Sequence, residues 1–386
     1  MHGRRNEFLF ITGITALMLA IFFFRTDRLD YSHPDFDEQW DHYYYIEMAV
    51  GNPNRERLAP FEYRILNPLL ASVLPFDLAI NFTILTLFGL SASGVICYYM
   101  LKTAGFSKAM SLTGLLLYFS LGWASRFNIH DFWLTDPLSY IFIAAIMWSI
   151  LAKKDLFFLA LLTIGVTIRE SVLFIAPLYY TIHTKKFLDG KILLRFIYLT
   201  IPAVLILFAL RISISTTNSH YNLPYLWETI GSKRIVQLIN NPADNLPLYT
   251  IRSFGVSFFL LPFFAIKKNL PHFLKFLPFI ALTYFSLLFA YNTERLLVAL
   301  FPVMTIMALH GIQSIAEKTE LDEKFFVFLP LGLIGLLLAR KDWLIIPSLY
   351  DAILFLIVLT VLFQTERFKK KTVPPEKPVE DARFVT

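Results

Sequence analysis

The chain has 386 residues, of which 56% are hydrophobic, 16% aromatic and only 17% charged, with a mean hydropathy of +0.58. Soluble domains are about a quarter charged, so this composition excludes one and specifies an all-α integral membrane protein, a polytopic helical bundle of about 11–13 membrane segments. The net charge of +6 sits in short basic clusters between apolar runs, which argues for cytoplasmic loops and against nucleic acid as a partner. A single cysteine, Cys97, leaves no disulfide framework and no thiol-rich metal site.

Arg4 and Arg5 precede an apolar run from Phe8 to Phe24, and the Arg25-Thr26-Asp27-Arg28 that follows lacks a small-residue cleavage pattern. This predicts an uncleaved anchor entering from the cytoplasm. Residues 25–76 then form a long first extracytoplasmic loop, the densest acidic and aromatic stretch of the chain. Near Pro34 the turn formers predict a loop feeding a short helix, with Asp35 as N-cap and Glu38 as its capping-box partner. Capping leaves Asp37 and Asp41 unexplained. They lie four apart on one helical face, where like charges cost roughly 0.2–0.5 kcal/mol, so a base, a metal or a hydrogen-bonding substrate must supply the reason for them. Arg64 to Leu74 is too short to span and fits a helix lying in the interface.

Later apolar runs fall at 77–101, 109–124, 133–151, 155–168, 171–182, 192–214, 254–266, 276–290, 296–312, 325–340 and 344–363. Lys102 with Lys108, Lys153-Lys154, Lys185-Lys186 with Lys191, Lys267-Lys268 with Lys275, and Lys369-Lys370-Lys371 all fall on one side, the cytoplasmic one. That requires runs 155–168 and 171–182 to form a hairpin. Each arm, at about 1.5 Å per residue, is near 20 Å and falls short of a bilayer core of about 30 Å. Its tip, Thr167 to Ser171, therefore sits beneath the outer surface, where Arg169 and Glu170 must be paired or face a wet cavity.

On this topology the outward face collects Arg126, His130, Asp131, Asp136, Arg169, Glu170, His220, Glu294 and Arg295 beside the acids of the first loop. Asp136 before Pro137 reads equally as the start of a span, and Glu170 and Glu294 read equally as partners of the arginines next to them. His42 and His130, as lone histidines, read first as structural polar residues, with His130 and Asp131 as an oriented pair the alternative. Residues 215–253 form a second large external loop or substrate lid, and 367–386 a basic, disordered cytoplasmic tail. No Gly-rich phosphate loop, HExxH or cysteine pair is present.

Several motifs in order resemble the GT-C superfamily of membrane glycosyltransferases. Asp35-Phe36-Asp37 with Asp41 is similar to the modified DxD of the first external loop, and Pro60-Phe61-Glu62-Tyr63-Arg64-Ile65-Leu66-Asn67-Pro68 to the PF-x-YR-x-L-x-P ending of bacterial mannosyltransferase-like members. Thr135-Asp136-Pro137-Leu138, Arg169-Glu170-Ser171 and Thr293-Glu294-Arg295-Leu296-Leu297 complete the set, which spans most of the 1–366 membrane domain. The resemblance implies transfer of a hexose, mannose among them, or a pentose from a polyprenyl-phosphate carrier to an extracytoplasmic glycan or lipid acceptor. It implies Asp37 or Asp41 as general base, with Asp37 favoured. Arg64, Arg169 and Arg295 would then meet the carrier phosphate, and His130, Asp136, Glu170 and Glu294 would serve substrate binding. No large soluble domain is expected after the last span of the sequence, so oligosaccharyltransferases and protein O-mannosyltransferases with such domains fit poorly, and without a WWDYG-like signature no metal ligand is assigned and a divalent metal is left open. The alternatives are a transporter or flippase of a lipid-linked sugar and an O-antigen-type polymerase or ligase. The expected location is a bacterial inner membrane with the site facing outside.

Overall fold

A computed structural model describes residues 2–29, 41–55, 57–186, 188–216, 227–240, 242–289, 293–339 and 348–364. Among them 83% are helical and none forms a strand, so the architecture is all-α. The anchor is α1 (His2–Arg25). The first loop contributes α2 (Asp41–Val50), a single 3-10 turn (Phe61–Tyr63) and the short α3 (Leu66–Val73). The last falls within the expected interfacial helix, with Leu69, Val73 and Phe76 beside it exposed as apolar contact surface. The predicted cap at Asp35 and Glu38 lies outside the described residues.

The bundle follows with α4 (Leu78–Thr103), α5 (Lys108–Ser120), the one-turn α6 (Arg126–His130), α7 (Asp136–Leu151), α8 (Asp155–Gly165), α9 (Pro177–His183) and α10 (Gly190–Ser213). Their starts are written locally. Asp77, Ser107 and Asp189 each accept a hydrogen bond from a first-turn N–H, and Pro137 stands in the first turn of α7. Helix α4 packs chiefly on α7, and at their crossing a Cβ on Gly89 would lie 2.6 Å from the Pro137 carbonyl carbon. Only glycine permits that approach, which presses the start of α7, and so Asp136, against α4.

The second half comprises α11 (Ser232–Asn240), α12 (Pro242–Leu260), α13 (Ile266–Ser286), α14 (Thr293–Leu297), α15 (Phe301–Thr319), α16 (Phe328–Leu338) and α17 (Ser348–Gln364). Residues 227–240 and 242–253, expected as part of an external loop, are helical. Their charged and amide residues lower the hydropathy of the stretch without breaking its helical period. The apolar stretch Leu246–Ser286 runs 41 residues through α12 and α13, but a kink at Gly255 (φ +84°) and a 3-10 turn at Leu261–Ala265 break it, and it folds back on itself. Thr250 meets Tyr284, and the Asn269 amide donates to the Pro262 carbonyl at 2.8 Å. Lys267, Lys268 and Lys275 therefore lie within α13, near its turn, rather than in a loop.

Among the described residues five stretches are long and apolar enough to cross a membrane: Arg4–Arg25, Leu78–Thr103, Gly190–Ser213, Leu246–Ser286 and Glu294–Thr319. The protein is an integral membrane protein. Only 17% of the α10 apolar window is buried, with Leu194, Tyr198, Leu205 and Phe208 outward, a surface that water would not tolerate. The other predicted runs appear as shorter helices, including α7, α8 and α17.

Contacts distinguish two ends. At one, Glu7 pairs with Lys102 and Lys108, Ser107 donates to Glu323, Lys268 donates to Gln313, and Thr181 donates to the Lys275 carbonyl. Phe106, His310 and His272 join these groups through ring contacts at 4.9 Å. The described lysine clusters thus gather at one end. At the other, the first loop folds onto the bundle through a satellite core of Tyr44, Tyr45, Phe61, Phe82, Trp133 and Leu134, separate from the main core. Tyr44 stacks on Phe61 there with centroids 4.9 Å apart.

Helix α4, of 26 residues, carries the chain about 39 Å between these ends. In a Cys97→Ser background, cysteines introduced singly at Asn54 and at Lys268 are therefore expected to react with an impermeant thiol reagent from opposite sides of the membrane. Labelling of both from the same side would overturn the two-ended arrangement.

Candidate functional site

Under the first loop, five segments bring their charged side chains together. Asp41 opens α2, and Tyr45 stands one turn later on the same face. Arg64 follows the 3-10 turn, Asp136 occupies the first turn of α7, and Arg295 comes from α14. Arg169 lies in extended backbone (φ −159°, ψ 128°) just after α8 and just before the 3-10 turn Glu170–Ile175. That break realises the predicted interrupted hairpin. Its tip is inside the protein, with Arg169 only 4% exposed.

The pairing alternates in sign. Arg295 is ion-paired with Asp41, and its Nε lies 3.5 Å from Asp136 Oδ2. Asp136 is also ion-paired with Arg169. Arg64 forks onto Glu170, donating at 2.7 and 3.1 Å, and donates to the Tyr45 hydroxyl at 2.8 Å. Three guanidiniums thus face three carboxylates, which is what buried charge requires. Asp136 is 1% exposed, yet its Oδ2 and the Arg295 Nε facing it have no hydrogen-bond partner at normal length. The Arg295 contact with Asp136 is the loose joint of the cluster.

Burial pushes the Asp41 carboxyl up, but the guanidiniums of Arg295, Arg64 and Arg169 outweigh it and hold the group below the usual carboxylate range. In this resting arrangement Asp41 is an ionised counter-charge and a weak proton acceptor.

Of the sequence-predicted residues, Asp41, Arg64, Asp136, Arg169, Glu170 and Arg295 converge here. Asp37, with Asp35 and His220, lies outside the described residues. His130 turns its Nδ1 to the Asp27 carbonyl at 2.6 Å, and its own carbonyl accepts from the Leu29 N–H at 2.8 Å, which ties down the chain leaving α1. Glu294 lies 3.8 Å from Arg252. The expected pairing of Glu170 and Glu294 with the arginines beside them does not occur, because adjacent residues point apart and find partners on other segments. Nor does Asp136 cap α7 with its side chain; the carboxylate is taken by arginines.

Three features went unread. Tyr45 joins the cluster, and its i+4 spacing from Asp41 was the available signal. Asp131 orients His42, not His130, with Oδ2 3.3 Å from His42 Nδ1, both residues being buried. This fastens α2 on the side next to Asp41, about 100° around the helix. Arg126, fully buried, donates to Thr26 Oγ1 at 3.1 Å and to the carbonyls of Arg25 and Leu337, clamping the C-terminal ends of α1 and α16, where helix dipoles favour a cation.

Among the described residues no group of three His, Cys, Asp or Glu side chains is arranged to hold a metal ion. The three cluster carboxylates are each engaged by a guanidinium, a donor set suited to an anion rather than to a divalent cation. No family model matches the chain, and no curated protein matches its sequence.

The low pKa of Asp41 has a consequence for stability. A carboxyl held lower in the folded than in the unfolded state stabilises the fold above the unfolded value, about 3.9, and that contribution is lost as pH falls through the folded value. The melting temperature of the detergent-solubilised protein should therefore fall more steeply below about pH 4 than that of Asp41→Asn. Parallel curves would show that Asp41 is not held by the arginines.

Proposed function

We propose that the protein is a glycosyltransferase of GT-C type that moves a hexose or pentose from a polyprenyl-phosphate carrier to a glycan or lipid acceptor. The observation that carries the reading is the convergence of Asp41, Arg64, Asp136, Arg169, Glu170 and Arg295 from separated segments into one buried cluster beneath the first loop. The lysine-rich end is read as cytoplasmic, which puts the cluster on the outer side of what we take to be a bacterial inner membrane. An arginine-rich site at that level suits a phosphate carried by a membrane-embedded lipid.

The resting ion pairs suggest how a base becomes available. The carrier phosphate is an anion and competes with Asp41 for Arg295, whose other carboxylate contact is already loose. Arg295 turning to the phosphate relieves Asp41 of its strongest cation, and its carboxylate gains basicity. Asp41 then takes the proton of the acceptor hydroxyl, the acceptor oxygen bonds to the anomeric carbon, and the bond from that carbon to the phosphate oxygen breaks. The electron pair leaves with polyprenyl phosphate, whose added negative charge Arg64, Arg169 and Arg295 stabilise. A single displacement of this kind inverts the anomeric centre. Asp37 is the alternative base favoured by the DxD resemblance.

Purified protein given a panel of labelled polyprenyl-phosphate sugars is expected to transfer one of the labels. Asp41→Asn or Asp37→Asn should reduce the rate by about 10²–10⁴-fold, with Asp35→Asn mild because Asn caps about as well as Asp. Melting temperatures separate lost chemistry from lost folding. Folded Asp37→Asn and Asp41→Asn variants that both keep near wild-type rates would overturn the first loop as the catalytic site.

A further inference from the structure

At the lysine-rich end, far from the charged cluster, α1, α4 and α5 flank a groove of about 360 Å³ lined by Glu7, Phe10, Ile11, Tyr98, Lys108, Ala109 and Leu112. Its polar rim is built. Glu7 accepts from Lys102 and from the Tyr98 hydroxyl (2.8 Å) on one oxygen, and Lys108 lies 3.2 Å from the other. The Glu7 carboxylate is thus fully engaged, and the rim carries two cations for one anion. Arg4, exposed one helical turn before Glu7, and Arg5 add positive charge, while Glu323 is taken up by Ser107 on the far side. The Lys108 side chain is 73% exposed, so its ammonium can turn outward without uncovering a buried charge. The remaining walls are apolar, and Phe10 continues them onto the exposed face of a membrane-crossing helix.

We propose that this groove holds one anionic phospholipid, its phosphate on Lys108 and Lys102 and an acyl chain along Phe10, Ile11 and Leu112. Charge complementarity selects the occupant. A free phosphate would leave the apolar walls uncovered, and a neutral hydrocarbon would make no use of the lysines. A zwitterionic headgroup brings a cation, which Lys102, Lys108, Arg4 and Arg5 around the groove repel. Basic pockets between membrane helices bind anionic headgroups for these reasons. The inference depends on the membrane architecture and not on the transferase reading.

The test is native mass spectrometry of the full chain released from neutral detergent after incubation with phosphatidylglycerol or phosphatidylcholine, alongside melting curves. One phosphatidylglycerol per chain should be retained and should raise the melting temperature, with phosphatidylcholine doing neither. Lys108→Glu should lower occupancy roughly tenfold, and Ala109→Trp, which fills the groove with apolar bulk, should do the same while leaving the rim charges in place. Losing the Lys108 pair with Glu7 should lower the melting temperature of the first variant without lipid, so its occupancy is read on the folded protein and against Ala109→Trp, which keeps that pair. Equal retention of both lipids, or full retention of phosphatidylglycerol by both variants, would overturn the proposal. Displacement of the lipid by millimolar glycerol phosphate would do so too, by making this a site for free phosphate.

Discussion

Arg295 held between Asp41 and Asp136 is the contact on which the rest of the site depends. It joins residues 254 positions apart, one in the first loop and one at the start of a late membrane-crossing stretch. Removing the arginine would leave two carboxylates without this cation in a buried setting, a change that typically costs about 3–5 kcal/mol. The same logic extends through Arg169, which needs Asp136, and through Arg64, which needs Glu170. Closing the loop over the bundle is thereby coupled to satisfying the charges of this cluster. The satellite core of Tyr44, Tyr45 and Phe61 supplies the apolar side of that closure, and His42 with Asp131 fastens α2 beside Asp41.

Much of the architecture was legible in the sequence because its signals are local. Apolar runs, caps such as Asp77 and Ser107, and lysines between runs each describe their own few residues, and a bundle with short connections leaves little freedom in how such pieces alternate. The interfacial helix before Leu74 and the break at Arg169 were readable for the same reason. Pairing was not. Arg169 beside Glu170 invites a neighbouring ion pair, yet extended backbone sends the two side chains to Asp136 and Arg64, partners that only the folded bundle brings near. The helices at 227–240 and 242–253 look like loop in the sequence because Lys233, Arg234, Asn240 and Asp244 depress hydropathy. The spacing of Ile235, Leu238 and Ile239 was the signal that could have revealed the first of them.

A site of this kind is at rest when its charges satisfy one another. Three guanidiniums bound to three carboxylates are stable without a ligand, and they keep Asp41 a poor base until something anionic competes for Arg295. On the proposed function, reactivity would depend on the arrival of the carrier phosphate, which would link donor binding to activation of the acceptor and disfavour proton abstraction in an empty site. The loose Arg295 to Asp136 contact is where such an exchange is least opposed, and the tighter Arg64 to Glu170 fork would hold the scaffold in place while it happens.

The most direct measurement of this account is a double-mutant cycle for Asp41→Asn and Arg295→Gln on the stability of the purified protein, performed with and without polyprenyl phosphate. Side chains in direct contact within an ionic network typically couple by about 0.5–3 kcal/mol. The account predicts a coupling in that range without lipid phosphate and its loss, to within about 0.5 kcal/mol of zero, when the phosphate is bound. A coupling that polyprenyl phosphate leaves unchanged would contradict the exchange of Arg295 between acid and phosphate.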